Sequence, residues 1–139
     1  MPIENDDIIL NKIAMIQRGI KRALEEFNKN QSLSNYTEVD ALILNLERAC
    51  QAAIDLGMHL ISKNKLGMPQ SSSDAFRILE SNTIISAATA KSLIGMVGFR
   101  NIAIHEYQKL NIDIIQKIMR NDYLVFGIFC KELGFEIHI

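Results

Sequence analysis

Apolar side chains recur along most of the chain at steps of three and four residues, the spacing that lines one face of an α-helix. Between about residues 8 and 28 the stripe is Ile9, Ile13, Ile16, Ile20, Ala23, Leu24 and Phe27. Asn28 to Tyr36 (NKNQSLSNY) is polar and turn-rich, a connection. A second stripe, Val39, Ile43, Leu46, Cys50, Ala53, Gly57 and Leu60, alternates steps of four and three behind a candidate cap at Thr37. Cys50, Ala53 and Gly57 are small, so another helix is expected to approach closely there. Ser62 to Ser73, with Gly67 and Pro69, reads as a loop, and a short helix is expected from Ser73. A longer helix is expected from about Asn82 towards His105; it is apolar around most of its circumference, the mark of a buried helix. The last runs from about Ile112 to Leu133, with Gly134 as terminator and a short extended tail behind it. No strand pattern, repeat or linker intervenes. The expected fold is all-α, an up-and-down bundle of four long helices plus a short one, as a single domain over residues 1–139.

Composition narrows the setting. With 139 residues the chain can bury one core, and 48% apolar content excludes a disordered or low-complexity class. Two cysteines supply neither a disulfide framework nor a zinc site, which favours reduced thiols and a cytoplasmic location. The start, MPIENDD, lacks the basic and apolar regions of a signal peptide, and no apolar run is long enough to span a membrane. Fifteen Lys and Arg against sixteen Asp and Glu exclude a protein that coats nucleic acid through bulk basicity. The average hides an asymmetry. Glu4, Asp6 and Asp7 make the start acidic, whereas residues 91–120 hold Lys91, Arg100, Lys109, Lys117 and Arg120 against Glu106 and Asp113.

No phosphate loop, dinucleotide fingerprint, nucleophile elbow or HExxH motif is present. Cys50 and Cys130 lie in apolar stripes and read as core, and His138 as a tail group. Arg48, Gln51, Asp55 and His59 form a polar stripe on the second helix. It is either an ordinary paired surface or, through Asp55, a support for a nearby site. The densest chemistry is Phe99-Arg100-Asn101-Ile102-Ala103-Ile104-His105-Glu106-Tyr107, at the end of the most apolar helix. Polar groups there are costly unless paired or functional, and capping of helix carbonyls by the two cations is the bland alternative.

On a continuous helix Arg100 and His105 stand about 140° apart, so they converge on one phosphate only if the helix ends near His105 or two copies meet. The groups suit phosphodiester cleavage without a metal or other cofactor. Histidine moves a proton near neutral pH, arginine clamps a phosphate with its planar fork, and asparagine orients it. No carboxylate cluster accompanies them to hold a metal.

Arg100-Asn101-Ile102-Ala103-Ile104-His105 resembles the R-polar-x-x-x-H signature of the HEPN superfamily, and Tyr107 completes the narrower form of HepT-type toxins. The stretch from Glu47 to Gly57, the region from Pro69 to Leu79, and Met96 to Asn101 are similar to that family too. The resemblance implies a HEPN-like helical homodimer whose two motifs line a cleft between the chains. It implies a metal-independent endoribonuclease, the toxin of a type VII-like toxin–antitoxin pair, with Arg100 and His105 catalytic and Asn101 assisting. The products would be a 2′,3′-cyclic phosphate and a 5′-OH. The implied partner is a minimal nucleotidyltransferase antitoxin that transfers AMP to Tyr107. A non-catalytic helical companion of a nucleotidyltransferase is the other reading the same helices admit.

Overall fold

The computed structural model describes residues 3–139; Met1 and Pro2 of the acidic start lie outside them. Helix α1 spans Asp7–Lys29 and buries Ile9, Ile13, Ile16, Ile20, Ala23 and Phe27, the expected stripe. Its N-cap is Asp6, whose carboxylate accepts the Ile9 amide at 2.8 Å. Helix α2, Tyr36–Asn64, is capped by Asn35 and not by Thr37, which sits inside the first turn. Both residues can cap, but Asn35 has the extended backbone a cap needs (φ −108°, ψ 115°), and its side chain accepts the Glu38 amide. A six-residue connection folds α2 back along α1.

The two helices come into close contact at Gly19. A Cβ there would stand 2.8 Å from the Asn45 carbonyl oxygen and 3.2 Å from the Ala49 Cβ, so only glycine fits without a shift. At Gly57 the small-residue seam of α2 receives Phe76 and Leu79 of α3, Ser72–Ser81, the close helix approach expected there.

Helix α4, Ala87–His105, begins five residues later than the apolar pattern predicts. Thr83 adopts a left-handed conformation (φ 60°) that interrupts any helix from Asn82. Ser86 then caps α4, and it is locked by Glu132 near the far end of the chain. The Glu132 carboxylate accepts the Ser86 amide (3.0 Å), the Ser86 hydroxyl (3.1 Å) and the buried Thr89 hydroxyl (3.0 Å).

The expected final helix is one run with a defect. Helix α5, Ile112–Lys117, passes into a π-helical turn, Ile118–Asp122, and on into α6, Leu124–Glu132. The turn is docked by Arg120, stacked 5.8 Å from the centre of the Phe27 ring. Gly134 ends α6 with φ 96°, returning its amide to the Lys131 carbonyl, as a glycine terminator does. No strand occurs among the described residues; the tail behind Gly134 is irregular, and the His138 amide donates to Gln17. The architecture is thus the anticipated helical bundle: α1, α2, α4 and the α5–α6 run, with α3 as the short member. Phe76 and Phe129 meet edge to face in its core, 5.9 Å between ring centres.

The acidic start has a structural use. Asp6 also accepts His59 Nε2 at 2.7 Å and Lys63 at 3.0 Å, clasping the start of α1 to the end of α2. The Ile9 amide, then His59 and Lys63, hold its carboxyl well below the usual carboxylate range. A depressed carboxylate stabilises the fold above the unfolded-state pKa, about 3.9, and that contribution is lost as pH falls through the folded value. Asp6→Ala is therefore expected to melt below the wild type at neutral pH, with the gap narrowing in acid. Thermal melts from neutral pH downwards check this.

Candidate active site at the end of the fourth helix

Helix α4 ends where the motif does. His105 is its last residue, and Glu106 leaves the helical region (φ −141°, ψ 47°) while its amide still returns to the Ile102 carbonyl at 2.8 Å. A single 3₁₀ turn, Tyr107–Lys109, follows and leads through Leu110 to Asn111, the cap of α5. The reversal displays His105 and Tyr107 at one exposed end of the bundle. His105 remains helical, however, so the offset from Arg100 persists within one chain; the helix end frees Tyr107 instead.

Arg100 lies half-buried against α2. Its Nη1 touches Asn101 Oδ1 at 3.3 Å, while its Nε is buried with no partner among the described residues. A guanidinium N–H left in this state is costly. Shut off from solvent, this Nε cannot itself meet an incoming anion; Nη2, which is not buried and makes no hydrogen bond among the described residues, can. Capping of carbonyls, the bland alternative for Arg100, is not among its contacts. Its charge reaches Cys50 on α2, as does that of Glu47. The Cys50 thiol is nonetheless pushed up to about 12 by burial, and burial does the same at Cys130, so both are protonated core groups, as their sequence positions suggested.

Tyr107 donates its hydroxyl to Asp40, an exposed residue in the second turn of α2. Partial burial, then this hydrogen bond and the Asp40 charge, push the phenol up to about 12. Asp40 was not singled out in the sequence. It stands 67 positions from Tyr107, and no spacing rule connects a helix start with a turn that distant.

Asp55 is held elsewhere. It accepts Gln51 Nε2 at 2.8 Å within α2 and Lys12 of α1 at 3.3 Å. Its partners tie two helices together and include none of the motif residues. His59 likewise joins the Asp6 clasp. The described residues contain no group of three or more His, Cys, Asp or Glu side chains arranged for a metal ion.

Beside the motif runs a groove of about 1050 Å³ between α4 and the α5–α6 run. Ala88, Gly95, Phe99, Ile102, Ile114 and Ile128 form much of its wall, with Lys91, Lys109 and Lys117 among the lining cations. The expectation that α4 is buried on all sides therefore fails on this face. Gly95, Gly98 and Ile102 are exposed, and a Cβ at either glycine would meet nothing within 4 Å. No helix among the described residues is long and apolar enough to cross a membrane.

Comparison with known proteins gives this arrangement a context. Residues 13–133 match the ribonuclease HepT-like family. An mRNA nuclease HepT from Shewanella oneidensis is 44% identical over 117 residues, covering 84% of this chain and 88% of that protein. A tRNA nuclease HepT from Aphanizomenon flos-aquae is 28% identical over 106 residues, 75% of this chain and 72% of that one. Among solved structures, a tri-AMPylated Shewanella oneidensis HEPN toxin in complex with an MNT antitoxin superposes with a TM-score of 0.89. It is 40% identical, and the match covers 94% of this chain and 98% of that one.

Proposed function

This chain belongs to the HepT-like ribonuclease family, and on that premise we propose that it is the toxin of a toxin–antitoxin pair. In this reading it is a metal-independent endoribonuclease that works in the cytoplasm as a homodimer and is silenced by AMP transfer to Tyr107. The observation that carries the catalytic reading is the guanidinium of Arg100, whose one hydrogen bond among the described residues is to Asn101, leaving Nη2 free five residues before an exposed His105 at the helix end. Arg100 binds the scissile phosphate and stabilises the charge that grows on its oxygens. Asn101, already touching Arg100, orients that phosphate. His105 exchanges protons with the ribose 2′-OH or the leaving 5′-oxygen. Attack by the 2′-OH closes a 2′,3′-cyclic phosphate and releases a 5′-OH end. Asp55 supports the site only indirectly, by tying α1 to the helix that backs Arg100.

Two features support the dimer. Arg100 and His105 diverge on one α4, which favours a phosphate that meets both across two copies. An apolar groove then lies open beside them, on a helix whose composition calls for burial all round. A second chain laid along α4 covers the groove and brings two motifs into one cleft. AMP on Tyr107 would place an anion near the end of α4 that carries this site, where it competes with RNA for the guanidinium.

The test is cleavage of RNA by purified, unmodified protein in the presence and absence of a chelator, with the ends of the products identified. Undiminished cleavage in chelator, leaving cyclic phosphate and 5′-OH ends, is the expected result. Cleavage that needs a divalent ion, or that leaves 5′-phosphate ends, overturns the reading.

A further inference from the structure

We propose that Asp40 is the general base for adenylylation of Tyr107, so that the toxin supplies a catalytic group to its own modification. The proposal rests on the adenylylation reading above and adds a residue to it. Asp40 is brought by α2 to the hydroxyl of Tyr107 and accepts its hydrogen bond. The hydroxyl oxygen is the atom that must become the nucleophile, and its proton already points at a carboxylate. Asp40 is exposed and, among the described residues, enters neither an ion pair nor a helix cap, so packing and helix capping there leave its carboxylate unaccounted for.

A neutral phenol is a weak nucleophile, and the surroundings of Tyr107 make spontaneous ionisation rarer still. A base in contact with the proton answers that difficulty. The phenolic oxygen forms a bond to the α-phosphorus of a nucleoside triphosphate held by the nucleotidyltransferase. The bond from that phosphorus to its bridging oxygen breaks, and pyrophosphate leaves with the electron pair. The phenolic proton passes to the Asp40 carboxylate and from there to water. Transfer from a resting phenol to a carboxylate is uphill, but the phenolic oxygen becomes strongly acidic as its bond to phosphorus forms. The proton therefore moves late in the step, when Asp40 is basic enough to take it.

Asparagine at position 40 keeps an acceptor oxygen for the phenol and removes the base, which separates proton transfer from docking of the turn. Full-length wild type, Asp40→Asn, Asp40→Glu and Tyr107→Phe are each incubated with the partner nucleotidyltransferase, ATP and Mg²⁺. AMP addition is followed by intact mass, and co-elution with the partner and thermal melting are measured alongside. Asp40→Asn is expected to slow AMP transfer by about 10²-fold or more, the usual scale for a lost general base. It should still bind the partner and melt as the wild type does. Asp40→Glu is expected to recover much of the rate.

Modification of Asp40→Asn at the wild-type rate overturns the assignment. So does a rate loss that is matched by lost partner binding and not relieved by glutamate, because Asp40 then only shapes the surface. A wild type that gains no AMP, or a Tyr107→Phe that still gains it, overturns the adenylylation reading itself and the present proposal with it.

Discussion

Replacing Arg100 or His105 by alanine is expected to lower RNA cleavage by about 10²- to 10⁴-fold, the scale of losing a proton-transfer group or a transition-state donor. Neither change should unfold the protein. Arg100 makes one hydrogen bond, to its neighbour Asn101, and His105 makes none among the described residues. Each variant should keep the wild-type melting temperature, which separates lost chemistry from lost structure. The geometry adds a sharper expectation. If a phosphate is gripped by Arg100 of one chain and His105 of the other, two inactive variants complement each other. In a heterodimer of Arg100→Ala with His105→Ala, one cleft half lacks both groups and the other holds both. Random exchange of protomers should then restore on the order of a quarter of wild-type activity. A mixture as inactive as its components would place both groups in one chain's site and remove the argument for a shared cleft. Cleavage assays before and after subunit exchange decide between these results.

Gly95→Glu is expected to abolish both the dimer and cleavage while leaving the monomer folded. The added Cβ meets nothing within 4 Å, so the side chain enters the groove without disturbing its own chain. Glycine inside a helix is also a poor helix former, so the substitution favours α4 by roughly 0.5–1 kcal/mol. Against a second chain the same carboxylate would be buried on an apolar wall. Burial of an unpaired charge costs several kcal/mol, and about 4 kcal/mol already weakens association by roughly 10³-fold. Sedimentation or light scattering should report a monomer, circular dichroism an unchanged helix content, and RNA cleavage should fall with the dimer. A variant that remains dimeric and active would show that the groove faces something other than a second copy.

The sequence carried the helices well wherever one face alone was apolar. The stripe from Ile9 to Phe27 is buried in α1 as its spacing requires, and the small seam of α2 does admit a neighbour. It misled where a distant partner decides the local structure. The start of α4 slips from Asn82 to Ala87 because Glu132, 46 residues from Ser86, holds the cap, and because Thr83 turns left-handed despite apolar Ile84 and Ile85 behind it. The apolar circumference of α4 points to burial on all sides, yet the face with Gly95, Gly98 and Ile102 is open groove. At the site, the end of the helix at His105 and the proximity of Asn101 to Arg100 were legible, being local. The hydrogen bond from Tyr107 to Asp40, and the capture of Asp55 by Lys12, join segments that only folding brings together.

The π turn at Ile118–Asp122 has a consequence for which length changes the chain can tolerate. It accommodates one residue beyond what an uninterrupted α-helix would use, and by absorbing that surplus it keeps everything after it in phase. Removing a single residue there would let the run close into continuous α-helix with α6 still in phase, but removing a second would swing α6 by about 100°. Leu124 and Ile128 would leave the groove, and Glu132 would lose its aim at Ser86. Insertions in the connections at residues 30–35 or 65–71 alter no such phase. Natural relatives are therefore expected to differ freely in the length of those two loops and to vary by no more than the one surplus residue across this turn.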